Sequence, residues 1–172
     1  MSSNSRFDER LFWEYYSVPF RMAFQDAGAN AVMASYNAWN GTPMHLHPVL
    51  REVLIGQWGV EVVSSDGGGV QNLWEDHKVV PDQKAAVVAA LKAGINQYLD
   101  RALEELRTAL KEGLVTEADL DEALRRKFRV SLKLGLLDPP EIVPYAKPKD
   151  GPAPWASPEH LAISKSMALE SI

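Results

Sequence analysis

The chain has no cysteine, which excludes both disulfide bonds and thiolate chemistry. It has no run near the roughly 18 apolar residues that a membrane span needs. Basic charge is also short. Lys and Arg number 18 against 23 Asp and Glu, giving a net charge of −5 and a pI near 5.4, so no basic surface calls for nucleic acid or anionic lipid. The opening residues MSSNSRFDER carry acids and no apolar core, unlike a signal peptide. The chain as given is therefore expected in the cytoplasm; a longer protein could carry a leader and be periplasmic or secreted. What is present is an ordinary globular balance, 46% hydrophobic and 24% charged over 172 residues, enough for one domain or one domain and a tail.

The most informative stretch runs from Val60 to Gly69. Val60, Val62 and Val63, followed by Ser64 and Ser65, read as a short strand leaving a sheet. The run then breaks into Asp66-Gly67-Gly68-Gly69, which no strand or helix interior would choose. A carboxylate at a strand's C-terminal end, on a loop free of bulk, is how α/β folds present a reactive group. The plainer reading is an Asx-turn that only starts a bend.

Taken in order, residues 6–27 have helical character. Leu11, Tyr15 and Met22 define an apolar face, and Pro19 is placed to kink or divide the helix. Residues 30–36 (NAVMASY) read as a first strand covered on both faces. Asn40-Gly41 and Thr42-Pro43 mark residues 37–47 as a long loop. A helix follows over 48–57, with Val49, Val53 and Leu54 on one face, and then comes the strand that ends at Asp66. Strand, helix and strand over 30–65 have the length of a right-handed parallel crossover. Residues 70–75 have room for one helical turn. Asp82 can cap a buried helix ending at Gly94, and residues 95–99 make a third strand. Two amphipathic helices come next, one with Leu103, Leu106 and Leu110 inward. The other opens on a Thr116–Asp119 capping box, carries Leu120, Leu124 and Phe128 inward, and ends near Gly135. Residues 138–156 form a proline-rich linker, and a last helix from Pro158 is capped by Ser157.

The expected fold is α/β with about three parallel strands and flanking helices. Three strands cannot close a barrel, and their outer edges would stay open, so the pattern reads as part of a domain. Parallel strands would bring Tyr36, Asp66 and the region after Leu99 to one end of the sheet. Three chemistries fit that convergence. A phosphate cradle is disfavoured, because Gly67 to Asn72 lacks a third spaced glycine and no Gly-Lys-Ser/Thr follows. A metal site could draw on His45 and His47 with Asp66 or His77, although hydrogen-bonded histidines are commoner in such loops. The third is carboxylate chemistry, with Asp66 as a nucleophile toward an electrophilic carbon. Tyr36, Asn37, Trp39 and Asn40 would then offer stacking and hydroxyl partners to a sugar, though Trp39 and Trp74 taken singly are as well explained by core packing.

Several segments together carry a family resemblance. Ala31 to Pro43 (AVMASYNAWNGTP) resembles the "VM-x-SYN-xx-NG-x-P" segment of glycoside hydrolase family 3, the family of β-glucosidases, β-xylosidases and β-N-acetylhexosaminidases. Gln57-Trp58-Gly59 before Val62-Val63-Ser64-Ser65-Asp66 is similar to its "WGF-x-G-x-VVSD" strand. Ala93-Gly94-Ile95-Asn96 is similar to "AG-x-D", and residues 115–137 resemble a helix ending "LGLFD". The resemblance covers residues 8–138, with the final helix similar to the start of a second domain.

It implies a retaining β-glycosidase with a (β/α)₈ TIM barrel followed by an α/β sandwich. Residues 1–137 would be the C-terminal portion of the barrel, 138–156 the linker and 157–172 the start of the second domain. Asp66 falls on the nucleophile position, while Tyr36 and Met33 fall on residues at the sugar site. No metal or cofactor is implied, and the expected ligand is a β-linked oligosaccharide or glycoside. A complementary barrel half or self-association is the expected protein partner. Two departures stand out: Gly67 where the family often has a bulky residue, and Asn96 in place of the usual aspartate. The arginine and the lysine–histidine pair that grip the sugar have no counterpart here. Retaining hydrolysis needs two carboxyl groups about 5–5.5 Å apart, and Glu75 and Asp76 read as solvated loop charges rather than the second one.

Overall fold

A computed structural model describes residues 3–144 and 153–171; the central part of the expected linker, 145–152, lies outside the described residues. The chain divides into two compact units, Met1–Leu136 and Leu137–Ile172.

The first unit is mixed α/β. Strands β2 (Ala31–Met33) and β5 (Val62–Ser64) pair in parallel, with Ala31 opposite Val62 and Met33 opposite Ser64. Gln97 adds a parallel bridge to Ser64 on the other side of β5. Ser65 N–H donates to the Gln97 carbonyl at 2.8 Å, and Asn96 N–H to that of Val63 at 3.0 Å. Two of the three expected strands are therefore present and parallel, though short, while residues 95–99 contribute a single parallel bridge in place of the third.

One face of this sheet is covered, where Ala34, Val63 and Ser65 are buried with Leu50, Leu73, Val87 and Ile95. The other face is open: Ala31 is exposed and Met33 is 50% exposed. The continuous apolar run of residues 30–36 suggested cover on both faces, but only one face is covered within this chain.

The helices that cover the sheet start and stop where local chemistry dictates. In α4 (Gln83–Ala93), the Asp82 carboxylate accepts from Ala85 N–H at 2.8 Å. Gly94 then ends the helix at φ +110°, a conformation that side-chain-bearing residues avoid. Helix α6 (Glu117–Lys133) opens on the reciprocal box foreseen at Thr116 and Asp119. Helix α5 (Leu103–Lys111) packs on α4 with Ala109 buried. The apolar faces predicted for α5 and α6 are only partly used: Leu103, Leu110, Leu124 and Phe128 are exposed, while Ala123 and Arg126 are buried. Periodicity finds an apolar face, but not whether another element covers it.

The N-terminal helical run departs most from expectation. Short α-helices α1 (Glu9–Leu11) and α2 (Val18–Arg21) are each followed by a π-helical stretch, Phe12–Tyr16 and Met22–Asp26. Pro19 sits in the first turn of α2, where its missing N–H costs nothing. Each π turn adds a residue and rotates the face, so Leu11, Tyr15 and Met22 point outward while Ser17 and Phe24 are buried. The predicted loop 37–47 contains structure of its own. Strands β3 (Ala38–Trp39) and β4 (Thr42–Pro43) form a hairpin, and β3 also pairs in parallel with β1 (Asn4–Ser5). Trp39 stacks with Phe7, Phe12 and His47, at centroid distances of 4.8, 4.7 and 4.4 Å.

In the second unit, α7 (Pro158–Glu170) starts at Ser157, whose hydroxyl accepts from His160 N–H at 3.2 Å. Among the described residues, no helix is long and apolar enough to cross a membrane.

Candidate active site

Asp66 follows β5 at its C-terminal end, half-buried. The register of Met33 with Ser64, and the two-residue alternation of strands, put Met33 on the face that Asp66 extends. The chain after β2 turns back over the same end. There the Tyr36 hydroxyl donates to the Gly67 carbonyl at 2.6 Å. Desolvation first, then the Asp66 carboxylate, then the charge of Asp100 raise the Tyr36 ionisation above its ordinary value of 10.0. At neutral pH the phenol is therefore a proton donor.

The backbone of Asp66 is fixed from below. Its N–H donates to His45 Nε2 at 3.3 Å, and its own Oδ1 accepts from Gly67 N–H at 2.8 Å. His45 is 1% exposed. Burial lowers its pKa, opposed by the charges of Asp100 and Asp66 and by a backbone hydrogen bond with Ser35. A neutral ring with its proton on Nδ1 satisfies both contacts, because Nε2 must accept. Close packing sets the choice of glycine at 69: a Cβ there would run into the His45 ring. Gly67 differs, having open space around it and no left-handed backbone.

The histidines weighed as metal ligands are otherwise engaged. His47 Nδ1 accepts from Val49 N–H at 3.2 Å, and His77 Nε2 lies 2.9 Å from the Tyr36 carbonyl. No group of three His, Cys, Asp or Glu among the described residues could hold a metal ion.

One carboxylate escaped the sequence reading. Asp100 sits just past the Gln97 bridge, and its Oδ2 accepts from Ser65 Oγ at 2.9 Å and from Val70 N–H at 3.4 Å. The only signal for it was its place after Leu99, at the end where Tyr36 and Asp66 were expected to converge. Asn96, noted as a departure, holds the sheet to α6. Its Oδ1 accepts from Val63 N–H at 2.9 Å, and its Nδ2 donates to the carbonyls of Glu61 at 2.9 Å and Ala123 at 3.2 Å.

A carboxylate, a phenol and an open loop thus meet at one end of the parallel strands of an α/β protein, the end at which such folds present groups to ligands. Residues 3–130 match the Glycosyl hydrolase family 3 N terminal domain, and the chain belongs to that family. It is 35% identical over 163 residues to a probable exo-1,4-beta-xylosidase of Aspergillus terreus, covering 91% of this chain and 21% of the relative. It is 37% identical over 139 residues to a periplasmic beta-glucosidase of Salmonella typhimurium, covering 77% of this chain and 17% of the relative. Among solved structures, an exo-beta-xylosidase in complex with a xylobiose aziridine activity-based probe superposes with a TM-score of 0.77 at 27% identity, covering 85% of this chain and 20% of that one. The chain thus spans about a fifth of the length of these relatives.

Proposed function

We propose that the first unit is the C-terminal portion of a family 3 barrel, and that it supplies the nucleophile for retaining hydrolysis of a β-linked glycoside. The observation that carries this is the Asp66–Tyr36 pair at the open end of β5, with the Tyr36 hydroxyl 2.6 Å from the Gly67 carbonyl. In this reading the Asp66 carboxylate attacks the anomeric carbon while the glycosidic C–O bond breaks and the leaving oxygen takes a proton from a second carboxyl group. Water, deprotonated by that second group, then releases the sugar from Asp66. Tyr36 and Met33 border the sugar. The Tyr36 phenol, held by the Gly67 carbonyl, offers its ring and its remaining lone pair beside the carboxylate, and Met33 offers an apolar contact.

The chain holds one half of the carboxyl pair, so turnover by the isolated 172 residues is expected to be negligible. Release of nitrophenol from an aryl β-glucoside or β-xyloside by the purified chain, lost in Asp66→Asn, would overturn this. The positive test is co-expression with the upstream barrel strands of a family 3 relative, then treatment with a dinitrophenyl 2-deoxy-2-fluoro-β-glycoside, whose leaving group needs no acid. A glycosylated Asp66 peptide is expected, and label on a different carboxylate would refute the assignment.

The open sheet face at Ala31 and Met33 favours a second reading, a non-catalytic carbohydrate-binding or assembly segment that completes a barrel with another chain. A stable complex in the same mixture, with neither label nor hydrolysis, would support that reading over the first.

A further inference from the structure

Asp66 stands between two points where the main chain is fastened, and both fastenings lead to one side chain. On the upstream side, Ser65 is fully buried. Its hydroxyl donates to Asp100 Oδ2 at 2.9 Å and accepts from Leu99 N–H at 2.9 Å. On the downstream side, past the three glycines, fully buried Val70 donates its N–H to the same Oδ2 at 3.4 Å. Glycine loops are entropically loose, so an acid at the tip of one needs external restraint to hold a fixed attack geometry.

We infer that Asp100 is the positioning residue of the Asp66 loop. One carboxylate oxygen ties the residue before Asp66 to the residue that ends the glycine turn, and so sets where the Asp66 carboxylate stands. Ser65 points to the covered face of the sheet, opposite the face Asp66 extends. Asp100 therefore acts through the backbone of the loop and not on the sugar. Its negative charge also reaches the site, where it contributes to the raised ionisation of Tyr36 and counters the burial of His45. The inference deepens the proposed function and rests on the reading of Asp66 as nucleophile.

The test uses amide hydrogen exchange and histidine titration by NMR on the full chain, comparing the wild type with Asp100→Ala and Asp100→Asn. In Asp100→Ala, exchange at Val70 and Gly67 is expected to rise by about tenfold or more, the worth of a charge-assisted hydrogen bond. Val63 and Ala90 should keep their protection. Asp100→Asn retains an oxygen that can accept from Ser65 and should recover most of the loop protection. With the charge gone, however, the His45 pKa should fall further in both variants, a change that a purely structural contact would not produce.

Unchanged exchange in the alanine variant, or a loss spread evenly over loop and core, overturns the inference. So does a His45 titration unmoved in both variants. In the labelled assembly with upstream strands, Asp100→Ala should slow glycosylation of Asp66 by about tenfold or more while sugar affinity is retained. Failure of the nucleophile reading would show separately, as wild-type label on a residue other than Asp66, whatever the exchange data report.

Discussion

Replacing Gly69 with alanine tests the account of the loop floor directly. The added Cβ would overlap the His45 ring at both Cε1 and Nε2. The ring is 1% exposed, and the backbone at 69 is not left-handed, so the penalty is one of contact and not of φ. Crowding a packed interior costs about 1–3 kcal/mol. Displacing the ring also strips the Asp66 N–H of its acceptor at 3.3 Å, and a partly buried donor left unmatched adds about 1–3 kcal/mol. Partial relief of each through the other brings the expected loss to roughly 2–4 kcal/mol. Urea denaturation of wild type, Gly69→Ala, His45→Ala and the double variant would measure it. The double variant should lose less than the sum of the singles, by about 1 kcal/mol or more, because removing the ring removes the clash. A Gly69→Ala midpoint within about 0.5 kcal/mol of wild type, or strict additivity in the cycle, would refute the contact as the reason for glycine.

Two further outcomes follow from the same geometry. Asn96→Asp should destabilise the chain by about 2–4 kcal/mol in denaturation experiments, because a carboxylate would face the carbonyls of Glu61 and Ala123 that the amide now serves; a loss below about 0.5 kcal/mol would show that the clamp is dispensable. Burial holds the pKa of His45, and also of His47, below the ordinary imidazole value of 6.5. The unfolded chain therefore takes up protons first as pH falls. This part of the stability is complete above pH 6.5 and declines as pH drops toward the folded-state values. Denaturation midpoints at several pH values should show the decline, and His45→Gln should flatten it; an equally steep decline in that variant would contradict the assignment.

The parts of the fold legible in the sequence were those written in local chemistry. Asp82, Thr116 and Gly94 marked helix ends because capping depends on one side chain and the backbone beside it. The strands around Val32 and Val63 were legible as apolar runs broken by turn residues. The N-terminal helix was not, because π turns at Phe12–Tyr16 and Met22–Asp26 shift the phase on which a 3.6-residue pattern depends. Strands of two residues, as at Ala38–Trp39 and Thr42–Pro43, are too short to carry an alternation. The meeting of Tyr36 and Asp66 could be anticipated from strand order alone. Asp100 could not be given a role, because its partners Ser65 and Val70 are 35 and 30 residues away and no local pattern announces them.

Because Tyr36 is anchored to the main-chain carbonyl of residue 67 and not to any side chain there, that position is chemically silent in the present fold. Its surroundings are empty and its backbone suits any L-residue. Substituents introduced there would project beside Asp66 with the phenol's tether left intact. Varying a single codon could thus reshape the space beside Asp66 without disturbing the packing of His45 against Gly69.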